Sequence, residues 1–121
     1  MREQDPNGLN QHEQGAKLDA GKVLAGVLSD FSLALMEVAK VGTFGAIKYS
    51  RGGWQSVDNG FIRYTDALWR HLLAERHEDQ DKDSGLLHQA HLAWNALSRL
   101  ELMLRKTHNK SVHGTAKDRR P

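Results

Sequence analysis

His71, Glu75 and Glu78 are spaced four and three residues apart, and His88, His91 and Asn95 three and four. Helical geometry gathers residues at such spacings on one face. Glu37 and Lys48, eleven apart with Phe44 between them, share a face in the same way, and Arg63 and Arg70 form a cationic ridge beside His71. An acidic run, Glu78, Asp79, Asp81 and Asp83, separates the first histidine from the other two. Clustered carboxylates suit a hard, oxygen-seeking cation such as Mg²⁺ or Mn²⁺. Lys and Arg beside such an ion suit phosphate oxygens. Together they describe metal-assisted attack of water on a phosphoryl group.

Each group also has a plainer reading. Lys48 can be a helix-end cation favoured by the macrodipole. His71 with Glu75 can be an i,i+4 surface pair. His88 and His91 can line a satisfied core, Glu37 can be a surface carboxylate, and the acidic run can be a solvated connection. The chemical reading draws its weight from convergence, because carboxylates, imidazoles and cations fall on three segments that must pack together.

Those segments read as helices. The 121 residues have 39% hydrophobic and 26% charged side chains, which suits one packed domain. Leu28, Phe31, Leu35 and Val38 follow the helical period, and Ser29 can cap a helix near 30–48. A weaker helical stretch precedes it near Val23. Ser50-Arg51-Gly52-Gly53 breaks the pattern, and Trp54 to Asn59 reads as a loop. A second helix is expected over 61–79, with Phe61, Thr65, Leu68 and Leu72 towards the core and Ile62, Trp69 and Leu73 widening the stripe. Asp83 or Ser84 can cap a third, over 86–106, with Leu87, Ala90, Trp94, Leu97 and Met103 as its apolar positions. β-Branched residues are sparse and do not alternate for long, so the expected architecture is an all-α bundle. A chain this short buries only part of its surface, so self-association is expected to complete the core.

Composition removes several functions. The chain has no cysteine, which excludes disulfides, thiolate metal sites and cysteine nucleophiles. No apolar run approaches about 18 residues, so no membrane span is expected. Residues 1–15 are polar, carry an Asp5-Pro6-Asn7-Gly8 turn signal and lack the apolar core of a secretory leader; disorder and an intracellular setting are expected. The net charge of +2 conceals a gradient: residues 105–121 hold six cations against Asp118 alone. That basic tail, flexible from 107, could grip nucleic acid through phosphates, although it has no aromatic residue to stack on bases. Walker-type, Gly-x-Gly-x-x-Gly and His-Glu-x-x-His motifs are absent. No His-Asp dipeptide is present for an HD-type phosphohydrolase, only His77-Glu78-Asp79.

An ordered series of motifs runs through residues 16–105. Lys17-Leu18-Asp19-Ala20-Gly21-Lys22 opens it, followed by Glu37-Val38-Ala39-Lys40, Thr43-Phe44-Gly45-Ala46-Ile47-Lys48-Tyr49 and Trp54. Arg70-His71-Leu72-Leu73-Ala74, Asp83-Ser84-Gly85-Leu86, His88-Gln89-Ala90-His91 and Trp94-Asn95 complete it. The series resembles a phage and bacterial family of dATP/dGTP diphosphohydrolases, related in concept to the MazG-like all-α nucleoside triphosphate pyrophosphohydrolases. The resemblance implies hydrolysis of a purine deoxynucleoside triphosphate to the monophosphate and pyrophosphate, with Mg²⁺, or Mn²⁺, as cofactor. It makes Glu37 a metal ligand, with Glu78, Asp79 and Asp81 as further ones, and His71, His88 and His91 ligands or their supports. Lys48 and Arg70 would face the triphosphate, and Trp54, Tyr49 and Asn95 the sugar or base; Arg63, on the ridge with Arg70, is a further candidate for binding substrate. Glu75 or a loop acid would be the general base. A homo-oligomer in the cytoplasm of a bacterium or of an infected host is the expected setting. Two positions depart from the MazG-like pattern: Lys40 stands where the second carboxylate of Glu-x-x-Glu would be, and His88-x-x-His91 replaces Glu-x-x-Asp. The competing reading is a helical oligomerising module that binds nucleic acid through its tail.

Overall fold

The structure, a computed structural model, describes residues 3–113. The chain divides after Phe31 into two units. In the first, the expected turn closes with the Gly8 N–H donating to the Asp5 carbonyl at 3.0 Å. The buried Asp5 carboxylate organises this unit by accepting the backbone N–H groups of Asn7 and Lys17, each at 2.7 Å. A 3₁₀ helix, Ala25–Phe31, ends it.

The second unit is all-α. It contains α1 (Ser32–Lys48), α2 (Gly60–Ala74) and α3 (His88–His113). Both α1 and α2 pack against α3. No helix among the described residues is long and apolar enough to cross a membrane.

The boundaries differ from those the periodicity suggests, for local reasons. The period beginning at Leu28 is shared between two helix types, because residues 25–31 take the tighter 3₁₀ winding and the α-helix starts at Ser32. After α1, Gly52 takes a left-handed φ of 76°, and a 3₁₀ turn, Gly53–Ser56, sits within the expected loop. Helix α2 stops at Ala74 rather than 79. The His77 and Glu78 N–H groups both turn back on the Ala74 carbonyl, at 3.0 and 3.1 Å, which closes the helix. The acidic run then doubles over itself. Asp81 N–H donates to Leu86 O at 2.7 Å, Gly85 N–H to Asp81 O at 2.8 Å, and His88 N–H to Asp79 O at 2.8 Å. Helix α3 continues through His113, past the expected end at Lys106. The rest of the basic tail, residues 114–121, lies outside the described residues.

The core also departs from the expected face. The buried apolar side chains are Val41 and Ala90, whereas His88, His91, Asn95 and Ser98 on α3 are each less than 9% exposed. These four recur at three- and four-residue spacing, so α3 turns a polar stripe inward. Leu87, Leu97 and Met103, expected at the core, are about half exposed, and Ile62, Trp69 and Leu73 of α2 are at least as exposed. The inward stripe pays for its polarity locally: Asn95 Nδ2 donates to the His91 carbonyl at 2.8 Å, and Ser98 Oγ to the Trp94 carbonyl at 2.9 Å.

Candidate active site

The polar stripe begins in a histidine cluster. His71 comes from the last turn of α2, and His88 and His91 from the first turns of α3. The helix pairing brings His71 Nδ1 to 2.9 Å from His88 Nδ1. The His71 and His91 rings stack in parallel, with centroids 4.4 Å apart and planes 9° from coincidence. The folded loop supplies the remaining members. Ser84 Oγ lies 2.6 Å from His91 Nε2 and accepts the Leu86 N–H. Asp81 accepts the Ser84 N–H at 2.9 Å and places Oδ2 3.9 Å from His91 Nε2. Phe44 of α1 meets His91 edge-on.

Burial governs the protonation of this cluster. Burial, then the neighbouring His91, push His71 down to about 4; His88 and Arg70 act in the same direction, and Asp81 opposes them. Burial likewise lowers His91 against the pull of Asp81. For Asp81, burial acts upward, but the Ser84 N–H and hydroxyl and the imidazoles outweigh it and lower the carboxyl below its ordinary value. Near neutral pH the site therefore holds a carboxylate beside uncharged His71 and His91 rings.

This has a consequence for stability. Between its ordinary value of 6.5 and about 4, His71 binds a proton in the unfolded chain but not in the folded one. Its contribution is therefore complete above 6.5 and is lost as pH falls towards 4. After allowance for partial exposure, the loss is on the order of 2 kcal/mol. Urea unfolding at pH 7.5 and 4.5 should show a steeper decline for the wild type than for His71→Gln; equal declines would contradict it.

The cluster opens into a cleft of about 1100 Å³. Lys48, Tyr49, Trp54, Arg63, Arg70 and Asn95 line it together with His71, Asp81 and His91, so the sequence-derived substrate residues and three of the chemical ones meet in one place. Lys48 Nζ pairs with Asp83 on the rim at 2.6 Å, which raises its pKa, and lies 5.4 Å from the Tyr49 ring centroid. Arg63 donates to the Asp58 carbonyl at 3.3 Å, and Arg70 makes no ion pair among the described residues. Trp54 stands edge-on to Trp94, with centroids 6.1 Å apart, and is held from behind by Tyr64, whose hydroxyl donates to the Trp54 carbonyl at 2.7 Å.

Five other expected residues do not line this cleft. Glu37 pairs with Lys40 at 2.6 Å. Glu75 accepts from Gln89 Nε2 at 3.1 Å. Glu78 and Asp79 line a smaller hollow on the acidic loop. His88 sits behind the cleft wall, where its Nδ1 reaches His71. Sequence reasoning gave Ser84 only a capping role and Trp94 only a core role. For Ser84 no signal was available, because its reach to His91 crosses a non-helical loop where spacing rules do not apply.

One ligand atom each from His71, Asp81 and His88 lie within 4.8 Å of one another. Mg²⁺ prefers an octahedral shell of oxygens and keeps several waters. Two imidazoles and one carboxylate do not fit it as a resident ion, and Glu37 and Asp79, which would add oxygen, are elsewhere.

An all-α unit with a cationic, aromatic cleft ending in two histidines and a carboxylate is thus the class of domain defined by the fold and the site. Residues 12–112 match the family described as dATP/dGTP diphosphohydrolase, N-terminal. The chain is 38% identical over 80 residues to a protein of Salmonella phage PMBT28 named dATP/dGTP diphosphohydrolase; the match covers 65% of this chain and 26% of that relative. The chain thus spans about a quarter of the relative's length. No solved structure matches it. The chain belongs to the dATP/dGTP diphosphohydrolase, N-terminal family.

Proposed function

We propose that this chain hydrolyses dATP or dGTP to the monophosphate and pyrophosphate in the cleft between α1 and α2. The observation that carries this reading is that Lys48, Arg63 and Arg70 line the same cleft as His71, Asp81 and His91. The cations offset the triphosphate charge and orient it. Trp54 and Tyr49 offer aromatic surface to the purine, and Asn95, whose Nδ2 is committed to His91 O, keeps its amide oxygen for the sugar or base. Water attacks the α-phosphorus and the bond to the α–β bridging oxygen breaks, so pyrophosphate leaves. The uncharged His91 imidazole takes the proton from water. Burial makes this ring a weak base in the free protein, and an anionic triphosphate beside it raises its proton affinity. Mg²⁺ carried by the triphosphate would neutralise phosphate charge, and Asp83, which lines the cleft, would be a carboxylate available to it.

The reading is tested by product analysis. The eight common nucleoside triphosphates are incubated with the protein and Mg²⁺ or Mn²⁺, and the products are separated by anion exchange. Monophosphate plus pyrophosphate from dATP or dGTP is the expected outcome; no turnover by folded protein would refute it.

The same reading includes self-association. Trp69 and Leu73 on α2, and Leu97, Leu100 and Leu104 on α3, form helical stripes that are each at least half exposed. A second copy covering them would complete the sparse core. Light scattering should give a dimer or larger, and Leu100→Glu should shift it towards monomer; a stable wild-type monomer would contradict the assignment.

A further inference from the structure

We propose that His71, Asp81 and His88 hold a resident first-row transition-metal ion that Mg²⁺ does not replace. The inference deepens the hydrolytic reading and rests on it for the use of the ion, but not for its binding.

Three observations point to the site. The first is the donor set. Two imidazoles and a carboxylate converging within 4.8 Å are ligand types that first-row transition ions accept more readily than Mg²⁺ does, with coordination positions left over. The second is the Nδ1 to Nδ1 distance. Two nitrogens bound to one ion at about 2.1 Å and at right angles stand about 3.0 Å apart, and His71 and His88 already stand at 2.9 Å. These two nitrogens, joined by a hydrogen bond, have the spacing of two neighbouring ligand positions, and the ion would take the place of the shared proton.

The third is the far side of His88. Its side chain is 4% exposed, and its Nε2 is buried without a hydrogen-bond partner. The group it faces is a carboxylate, Glu78 Oε1, at 3.7 Å. Metal-bound histidines direct their other ring nitrogen to such a carboxylate, which fixes the tautomer and strengthens the ligand. With Nδ1 on the ion, Nε2 carries the proton, and a small approach of Glu78 satisfies it. A buried donor left unpaired is costly, and metal binding turns that cost into a support. His91, stacked on His71 and held by Ser84, steadies the His71 ring and stands outside the ligand set. Glu78 and Asp79 then differ in role although they adjoin: Glu78 backs a ligand, whereas the Asp79 backbone carbonyl only fastens the start of α3.

The test needs no nucleotide. The full chain, freed of metal by chelation, is titrated with Mn²⁺, and the free ion is followed by its electron paramagnetic resonance signal. One Mn²⁺ per chain should bind, and a hundredfold excess of Mg²⁺ should leave most of it bound. Asp81→Asn and His88→Gln should weaken Mn²⁺ binding more than tenfold, and Glu78→Gln about tenfold. No bound Mn²⁺, displacement by equimolar Mg²⁺, or wild-type affinity in the ligand variants would each overturn the assignment. Because a variant can fail to fold, the wild type supplies a second readout. Substoichiometric Mn²⁺ should broaden the imidazole proton resonances of His71, His88 and His91 and spare that of His108; uniform broadening would also overturn it. Metal binding without hydrolysis, or hydrolysis without metal selectivity, separates this inference from the functional reading.

Discussion

Replacing His71 with alanine is expected to lower the turnover of dATP or dGTP by about 10³-fold, within the range that positioned proton-transfer groups contribute. That factor corresponds to about 4 kcal/mol of barrier. The expectation follows from how many contacts converge on this ring. It lines the cleft, meets His88 through Nδ1, stacks on His91 and shares a ligand cluster with Asp81. Its removal therefore deprives the site of a ligand atom and of the surface that holds the His91 base in place. Steady-state rates, read beside far-ultraviolet circular dichroism to confirm the helices, check it. A folded variant within tenfold of the wild type would show that the chemistry lies elsewhere. A parallel Glu37→Gln variant measures whether a carboxylate paired with Lys40 takes part as well.

A valine at position 42 is expected to cost about 2 kcal/mol of stability. Helix α1 crosses α3 at this glycine, and a Cβ there would stand 2.6 Å from Trp94 Cζ3 and 3.0 Å from Cη2. Removing a glycine from a helix gains up to about 1 kcal/mol, whereas forcing extra atoms into a closed contact costs roughly 1–3 kcal/mol. With two γ-carbons beyond the clashing atom, the steric term wins. The displaced ring is the one that meets Trp54 edge-on in the cleft, so KM should rise with the loss of stability. Gly45→Ala is the control. It lies in the same helix with nothing within 4 Å of its Cβ, and it should stabilise the fold by roughly 0.5–1 kcal/mol. Urea midpoints of the two variants should move in opposite directions; movement in the same direction would mean that the α1–α3 crossing yields more easily than the geometry implies.

The three α-helices were legible because their apolar residues recur at the helical period. Their ends were not. Glu75 to Asp79 suit a helix in isolation, and only the return of two N–H groups to Ala74 closes α2 there. The inward face of α3 was misread for a related reason. Periodicity marked Leu87, Leu97 and Met103 as core, but His88, His91, Asn95 and Ser98 follow an equally regular spacing and are the residues that are buried. When two stripes share one helix, spacing alone does not say which one faces inward. The cationic and aromatic lining of the cleft was readable, since Lys48, Arg63, Arg70 and Trp54 stand on strong periodic elements or beside a glycine break. The acids were not readable, because a loop folded by backbone bonds sends Asp81 inward and Asp79 outward although they are two residues apart.

The inward polar stripe of α3 also decides how this chain would respond to selection for robustness. In most small domains, hydrophobic replacement of an enclosed polar side chain is an injury. Here a change such as Ser98→Ala removes only a bond within the helix and improves helix propensity, so a search for tougher variants would drift along this stripe towards hydrocarbon. Each step nearer Asn95, His91 and His88 would exchange reactivity for resilience. Deep mutational maps of growth and of thermal tolerance should therefore diverge most along this line of four residues.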